Sequence, residues 1–184
     1  MSLTRDTFCS FCGTTYEVPL RYPRTCTSCK TQVWANPIPV SVVLVPVDKD
    51  GKTGLLVIRR GIPPGKDKLA LVGGFLEDHE TWAEGGAREI LEETNVAVDA
   101  TKLTALWFTS TAPRPNRVLL FSVAPRLDAS ALGPCEGNAE TLERGLVFGP
   151  DGLDEAFAFP LHVEAARRFF AERSVTGAHA YVQA

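Results

Sequence analysis

No run of 18 apolar residues occurs in this 184-residue chain, so no membrane span is expected. The longest apolar stretch, Val40 to Val47, is strand-sized and interrupted by Ser41 and Pro46. The opening residues, Met1-Ser2-Leu3-Thr4-Arg5-Asp6, hold no apolar signal-peptide core. The expectation is therefore a cytoplasmic protein, in a compartment where disulfides are rare. Internal repeats and low-complexity tracts are absent, as is any excess of positive charge. The 19 Lys and Arg against 22 Asp and Glu leave a net charge of −3. That balance argues against broad nucleic-acid binding and leaves only a local basic patch for it. At 45% hydrophobic and 22% charged, the chain suits one medium packed domain plus a small module.

Five cysteines in a reducing compartment need an explanation other than disulfides. Four of them lie in the first 30 residues as Cys9-x2-Cys12 and Cys26-x2-Cys29. Two such turns complete a tetrahedral sulfur site, which suits a closed, structural zinc. Gly13 eases the first turn, since glycine tolerates a positive φ. The segment is too short and too poor in aliphatics to stabilise itself, so a metal staple is expected. A zinc-ribbon module over residues 1–36 follows. Arg21, Arg24 and Lys30 make it locally basic, which offsets the thiolates. The fifth, Cys135, reads as a loop thiol.

Beyond Pro37 the composition changes. Val40–Val45 and Gly54–Arg60 read as strands of a hairpin around an Asp48–Gly51 turn. A short strand, Leu69–Val72, runs into Gly73-Gly74. Further strands are expected near 103–110, 117–124 and 145–148, with a polar loop over 127–140. A last helix is expected from Pro160 or Leu161 to Arg173. Mixed strands and two helices indicate an α+β chain with a mixed sheet between helices.

The strongest signal is a helix read over 82–94. Thr81-Trp82-Ala83-Glu84 is a capping box, and Asn95 suits the left-handed residue that ends a helix. Glu89, Glu92 and Glu93 share one face within about 100°. Ala83, Ala87, Ile90, Leu91 and Thr94 read as the opposite, core face. Like charges at i, i+3 and i+4 destabilise a helix by roughly 0.2–0.5 kcal/mol per pair. Clustered carboxylates are hard oxygen ligands suited to Mg²⁺ or Mn²⁺. Gly85-Gly86 inside the helix points to close approach by a neighbour. Residues 77–93 hold seven acids and one base, a local charge of −6 in a chain otherwise at +3.

Residues 74–96 resemble the signature of the Nudix hydrolases, G-x5-E-x7-R-E-U-x-E-E-x-G-U with U aliphatic. Gly74, Glu80, Arg88, Glu89, Ile90, Glu92, Glu93 and Val96 match, and the final glycine is Asn95. The cysteine ribbon followed by Asn36-Pro37 and a Val-rich strand is similar to the NADH-pyrophosphatase branch. The resemblance implies a Nudix α/β/α sandwich with a mixed β-sheet over 37–175, preceded by the small zinc ribbon and followed by a tail, 176–184.

It also implies a pyrophosphohydrolase acting on a nucleoside diphosphate linked to another group, such as FAD, NAD(H) or ADP-ribose. The implied cofactors are catalytic Mg²⁺ or Mn²⁺ and structural Zn²⁺. By motif position Glu89, Glu92 and Glu93 are the metal ligands, with the Gly74 carbonyl as an extra one. Glu89 is alternatively the group that orients or deprotonates the water. Glu80 and Arg88 are the pair supporting the loop. A distant catalytic carboxylate is Glu140 or Glu143. The branch's S-Q-P-W-P-F-P-x-S array corresponds to Ser110–Asn116, which keeps the serine and part of the prolines but lacks both aromatics and the glutamine, and this counts against an NADH preference. Arg114 and Arg117 are candidates for a substrate phosphate, and Trp107 or Phe108 for a base. If the strand alternates, only one of the two rings is free. A homodimer is implied by the resemblance. The alternatives are hydrolysis of oxidised nucleoside triphosphates, and a non-catalytic nucleotide sensor whose ribbon holds nucleic acid.

Overall fold

A computed structural model describes residues 6–112 and 116–184 of the chain. It divides into two compact units, Met1–Pro37 and Ile38–Ala184.

In the first unit two knuckle turns repeat one geometry. Cys9 N donates to Thr14 O at 2.8 Å and Gly13 N to Cys9 O at 2.9 Å. In the second, Cys26 N donates to Thr31 O at 2.9 Å and Lys30 N to Cys26 O at 3.0 Å. Gly13 and Lys30 take the matching left-handed position, at φ 73° and 62°. The second knuckle joins strands β1 (Arg24–Thr25) and β2 (Gln32–Val33), which pair antiparallel. Among the described residues of this unit, only Cys9 and Cys26 are buried. The core of this unit is its sulfur cluster.

The second unit opens with β3 (Ile38–Leu44), then β4 (Pro46–Lys49) and β5 (Lys52–Arg60). The hairpin expected between Val40–Val45 and Gly54–Arg60 is instead formed by β4 and β5. Asp50 and Gly51, both at positive φ, make its two-residue turn. Pro46 accounts for the difference. It has no N–H for a continuing ladder, and the chain changes partner there. Then come β6 (Leu69–Phe75), α1 (Trp82–Thr94), β7 (Thr104–Ser110) and β8 (Arg117–Val123). β3 pairs antiparallel with β6 and parallel with β8. β9 (Leu127–Asp128), β10 (Thr141–Val147), α2 (Leu153–Ala156), α3 (Pro160–Glu172) and β11 (Tyr181–Gln183) follow. The sheet runs β11-β10-β5-β6-β3-β8-β7, with β4 paired to β5 and β9 to β4. The segment read as a tail thus carries an edge strand, β11, laid antiparallel on β10.

Alternation along the strands builds two cores. Val42, Leu44, Leu55, Val57 and Leu71 face α3, whose Val163, Ala166, Phe169 and Phe170 cover them. Val43, Val45, Leu56, Ile58 and Val72 face α1 through Ile90. The result is the α/β/α sandwich with a mixed sheet. The close approach expected at the helical glycines is present. A Cβ on Gly86 would lie 2.9 Å from both Ser41 Oγ and Val43 Cγ2.

His162 on α3 is buried and accepts the Leu71 N–H at Nδ1, at 3.1 Å. Burial, then the charge of Arg60, pushes its pKa down from 6.5 to about 3. The folded ring stays neutral while the unfolded one takes a proton below pH 6.5. Its contribution is therefore complete above pH 6.5 and is lost as the pH falls toward 3. Between pH 7 and pH 5 this one group is expected to remove about 2 kcal/mol of unfolding free energy. Denaturant unfolding at the two pH values measures it. His162→Gln should flatten the dependence by that amount, and parallel curves for both proteins would contradict it.

Candidate functional site

The site is assembled where β6 turns into α1. The helix starts as expected: Thr81 Oγ1 accepts from Glu84 N at 3.3 Å, and Glu84 Oε2 accepts from Thr81 N at 2.9 Å. It ends at Asn95, with φ 55° and its N–H bonded to Leu91 O. A Cβ on Gly74 would fall 2.3 Å from Glu89 Oε1. Only glycine lets the strand end pass this close to the carboxylate.

Arg88 organises the loop. Its Nε donates to Glu80 Oε1 at 2.6 Å, and its Nη2 donates to Glu80 Oε2 and to Phe75 O, each at 3.0 Å. Glu80 also accepts the Glu77 N–H at 3.1 Å. The Arg88 guanidinium, with that N–H, holds Glu80 down at about 2. Arg88 Nη1 reaches Glu89 at 2.8 Å and Glu92 at 2.9 Å.

The three helical carboxylates have different surroundings. Glu93 is 9% exposed and accepts the Gly73 N–H at 2.9 Å. Burial pushes it up to about 8, with the charges of Glu89 and Glu140 adding and Gly73 N–H and Arg60 opposing. Glu89 is also raised, first by burial, against Arg88. Glu92 is mostly exposed. The face assignment from sequence is corrected at two residues: Leu91, read as core, is 48% exposed, and Glu93, read on the opposite face, is buried on the sheet side. Measured from Ile90, Leu91 sits about 100° to one side and Glu93 about 60° to the other. The core is centred near Ile90, so Leu91 falls past its rim.

The two distant candidates have different surroundings. Glu143 is engaged elsewhere, accepting from Arg59 Nε at 2.6 Å and from Tyr181 OH at 2.8 Å. These two partners lower its pKa. Glu140 is exposed, and its charge is near enough to add to the raised pKa of both Glu89 and Glu93. Arg60, not singled out in the sequence, is the cation that opposes the raised pKa of Glu93. Strand alternation was its only signal: Arg59 and Arg60 point to opposite faces.

Of the substrate candidates, Arg114 lies outside the described residues. Arg117 stands over the ring of Phe75 at 5.5 Å. Phe75, one residue beyond Gly74, is 53% exposed and was missed in the sequence. Trp107, offered as a base platform, stacks on Phe121 with centroids 4.8 Å apart, and Arg168 covers it at 4.3 Å. Its ring is engaged in packing. Phe108, 73% exposed, is the free one of the pair.

In the ribbon, the four Sγ atoms lie within 4.8 Å of one another. Cys9 and Cys29 are 3.7 Å apart and Cys12 and Cys26 3.6 Å. Zn–S bonds of 2.3 Å give a tetrahedral edge of about 3.8 Å, so the four free thiols fit a zinc ion. The Thr14 hydroxyl and N–H bring Cys12 down to about 6, toward the thiolate that a metal needs. Among the described residues, no group of carboxylates converges as tightly as these thiols. Even so, hard oxygen donors raised by burial and by one another are a donor set that a divalent cation relieves.

The sequence profile of the NUDIX domain matches residues 37–172. Among solved structures, the chain is similar to a NUDIX hydrolase from Nitrosomonas europaea, with a TM-score of 0.69 and 24% identity over 91% of this chain and 92% of that one. It is also similar to the NUDIX domain of Shewanella oneidensis NrtR, solved with ADP ribose (TM-score 0.62, 16% identity, 77% and 91% covered). A C. elegans Ap4A hydrolase in a binary complex is a third (TM-score 0.57, 14% identity, 74% and 98% covered). At these identities the structural likenesses speak to the fold. The profile match spans most of the chain, on the helix whose capping, arginine bridge and carboxylates are described above. The chain belongs to the NUDIX family and is a hydrolase acting on pyrophosphate bonds.

Proposed function

We propose that the protein is a Mg²⁺- or Mn²⁺-dependent pyrophosphohydrolase of a nucleoside diphosphate linked to another group, of the FAD, NAD(H) or ADP-ribose class. The observation that carries this reading is Glu93, a carboxylate buried beside Gly73 and repelled by Glu89 and Glu140. Such a group is costly as an anion unless it takes up a proton or a cation compensates it.

Glu89, Glu92 and Glu93 would hold the divalent ion, with the Gly74 carbonyl as a further oxygen donor. When bound, the ion neutralises phosphate charge and acidifies a water. The Arg88–Glu80 pair keeps the loop and the helix in register. Glu140 takes the proton of the attacking water. The water oxygen bonds to one phosphorus, and the bridging oxygen leaves with the other phosphate. Phe75 and Arg117 offer a ring and a charge for a base and a phosphate. Nucleotide affinity rather than nucleic-acid binding suits the acidic box. Zinc in the Cys9, Cys12, Cys26 and Cys29 cluster suits the cytoplasm. For the implied homodimer, β7 offers an edge strand with no charged residue and the exposed Phe108.

The test is a substrate panel with Mg²⁺ or Mn²⁺. Nucleoside monophosphate is the expected product from at least one dinucleotide or ADP-ribose, and inertness toward all of them would sink the reading. The two distant carboxylates are told apart by mutation. Glu140→Gln is expected to lower kcat by about 10²-fold or more. Glu143→Gln should stay within threefold while lowering thermal stability. The reverse pattern would exchange their roles.

A further inference from the structure

The loop from Gly133 to Glu140 has little apolar anchorage. Of its eight residues only Cys135 is half-buried, and the rest are exposed. Three polar side chains tie it to the last turn of α1 instead. Asn95, where the family pattern has glycine, donates through Nδ2 to Pro134 O at 3.0 Å. Asn138 bridges the two segments. Its Nδ2 donates to Glu92 O at 3.4 Å, and its Oδ1 accepts from Glu140 N and Thr141 N, both at 2.8 Å.

Arg144, only 2% exposed, completes the set from β10. It donates to Thr94 O, to Gly133 O, and to Ala184 O at 3.1 Å. The last turn of α1 carries no basic residue of its own. Arg144 therefore supplies the cation that the open carbonyls at a helix C-terminus favour. Its bond to Gly133 O fastens the loop to that same turn, and the bond to Ala184 O holds the residue after β11.

We infer that Asn95, Asn138 and Arg144 form a polar clamp that positions Glu140 against the carboxylates of α1. This rests on the reading of Glu140 as the loop carboxylate of the hydrolytic site. The three are positioning residues, since none reaches the reacting atoms. Asn138 fixes the backbone of Glu140 directly. Asn95 and Arg144 fix the start of the loop, and Gly61 N, bonded to Glu140 O at 2.7 Å, fixes its end.

Hydrogen exchange of segment 133–142 and steady-state hydrolysis of ADP-ribose with Mg²⁺ test the clamp in the full chain. Asn138→Ala and Asn95→Gly change exposed residues and avoid the buried cation, so folding does not obscure the result. Each is expected to raise exchange in 133–142 by about tenfold and leave exchange in α1 unchanged. Misplacing a catalytic group by about 1 Å costs up to about 10²-fold. Asn138→Ala should accordingly lower kcat by about 10- to 100-fold, with KM within threefold. Added to Glu140→Gln, it should cost little more than Glu140→Gln alone. Unchanged exchange overturns the clamp whatever the activity. Fully additive losses, or a rise in KM alone, overturn its positioning role. If Glu140→Gln itself retains the wild-type rate, the reading of Glu140 fails, and the clamp has no catalytic group to place. If Glu140→Gln is impaired and Asn138→Ala is not, the clamp alone fails.

Discussion

Glu93→Gln is expected to lower turnover by roughly 10²- to 10³-fold while leaving the fold intact. Glutamine keeps the shape of the side chain, and its amide oxygen can still accept the Gly73 N–H that Glu93 accepts at 2.9 Å. What it removes is the charge. In the metal-free protein that charge opposes folding. The carboxyl is pushed by burial from 4.5 to about 8. A group with a raised folded pKa contributes stability that is complete below its unfolded pKa and is lost as the pH climbs through the folded one. For Glu93 that window runs from about pH 4.5 to pH 8. Metal-free Glu93→Gln should therefore melt higher than the wild type at pH 8 and lose the advantage at pH 4.5. Activity lost with stability gained is the mark of a residue held for function. A stable variant that still turns over at the wild-type rate would remove Glu93 from the mechanism.

Chelation of the ribbon metal is the second large expected effect. Among the described residues the four thiols are the only tight ligand cluster, and two of them are the only buried described residues of their unit. A structural zinc is worth about 10–16 kcal/mol in small zinc-binding peptides. No aliphatic core replaces it here. The expected result is one zinc per chain by metal analysis. Its removal should abolish amide protection around Cys9–Cys12 and Cys26–Cys29, while the Ile38–Ala184 unit keeps its melting transition. Persistent protection in the metal-free ribbon, or no zinc in protein purified without chelator, would contradict the four-sulfur site.

How much of this was legible in the sequence depends on how local each feature is. The helix over 82–94 could be read to the residue, because Thr81, Glu84 and Asn95 act within one turn of each end. The Glu80–Arg88 bridge was legible through its fixed spacing. The burial of Glu93 was not. Hydropathy assigns Leu91 to the core, whereas the packing of Ile90 against Val43 and Val72 rotates the helix the other way. The different surroundings of Glu140 and Glu143 arise only once β10 is set beside β5. Their register puts Glu143 directly opposite Arg59. β11 was invisible for a related reason, since its three residues gain strand character only by pairing with β10. The Trp107–Phe108 alternative turned on a bulge between Ala105 and Trp107, which simple alternation does not anticipate.

The central claim is that Glu89, Glu92, Glu93 and Glu140 serve metal-dependent cleavage of a pyrophosphate in a nucleotide derivative. Phosphorus NMR of ADP-ribose, NADH and FAD incubated with the protein and Mg²⁺ tests it most directly. The account predicts loss of the pyrophosphate signals and growth of monophosphate signals for at least one of the three. It also predicts that the conversion stops on adding a chelator and is lost in Glu93→Gln. Intact pyrophosphate signals in all three, or equal conversion by wild type and Glu93→Gln, would contradict it.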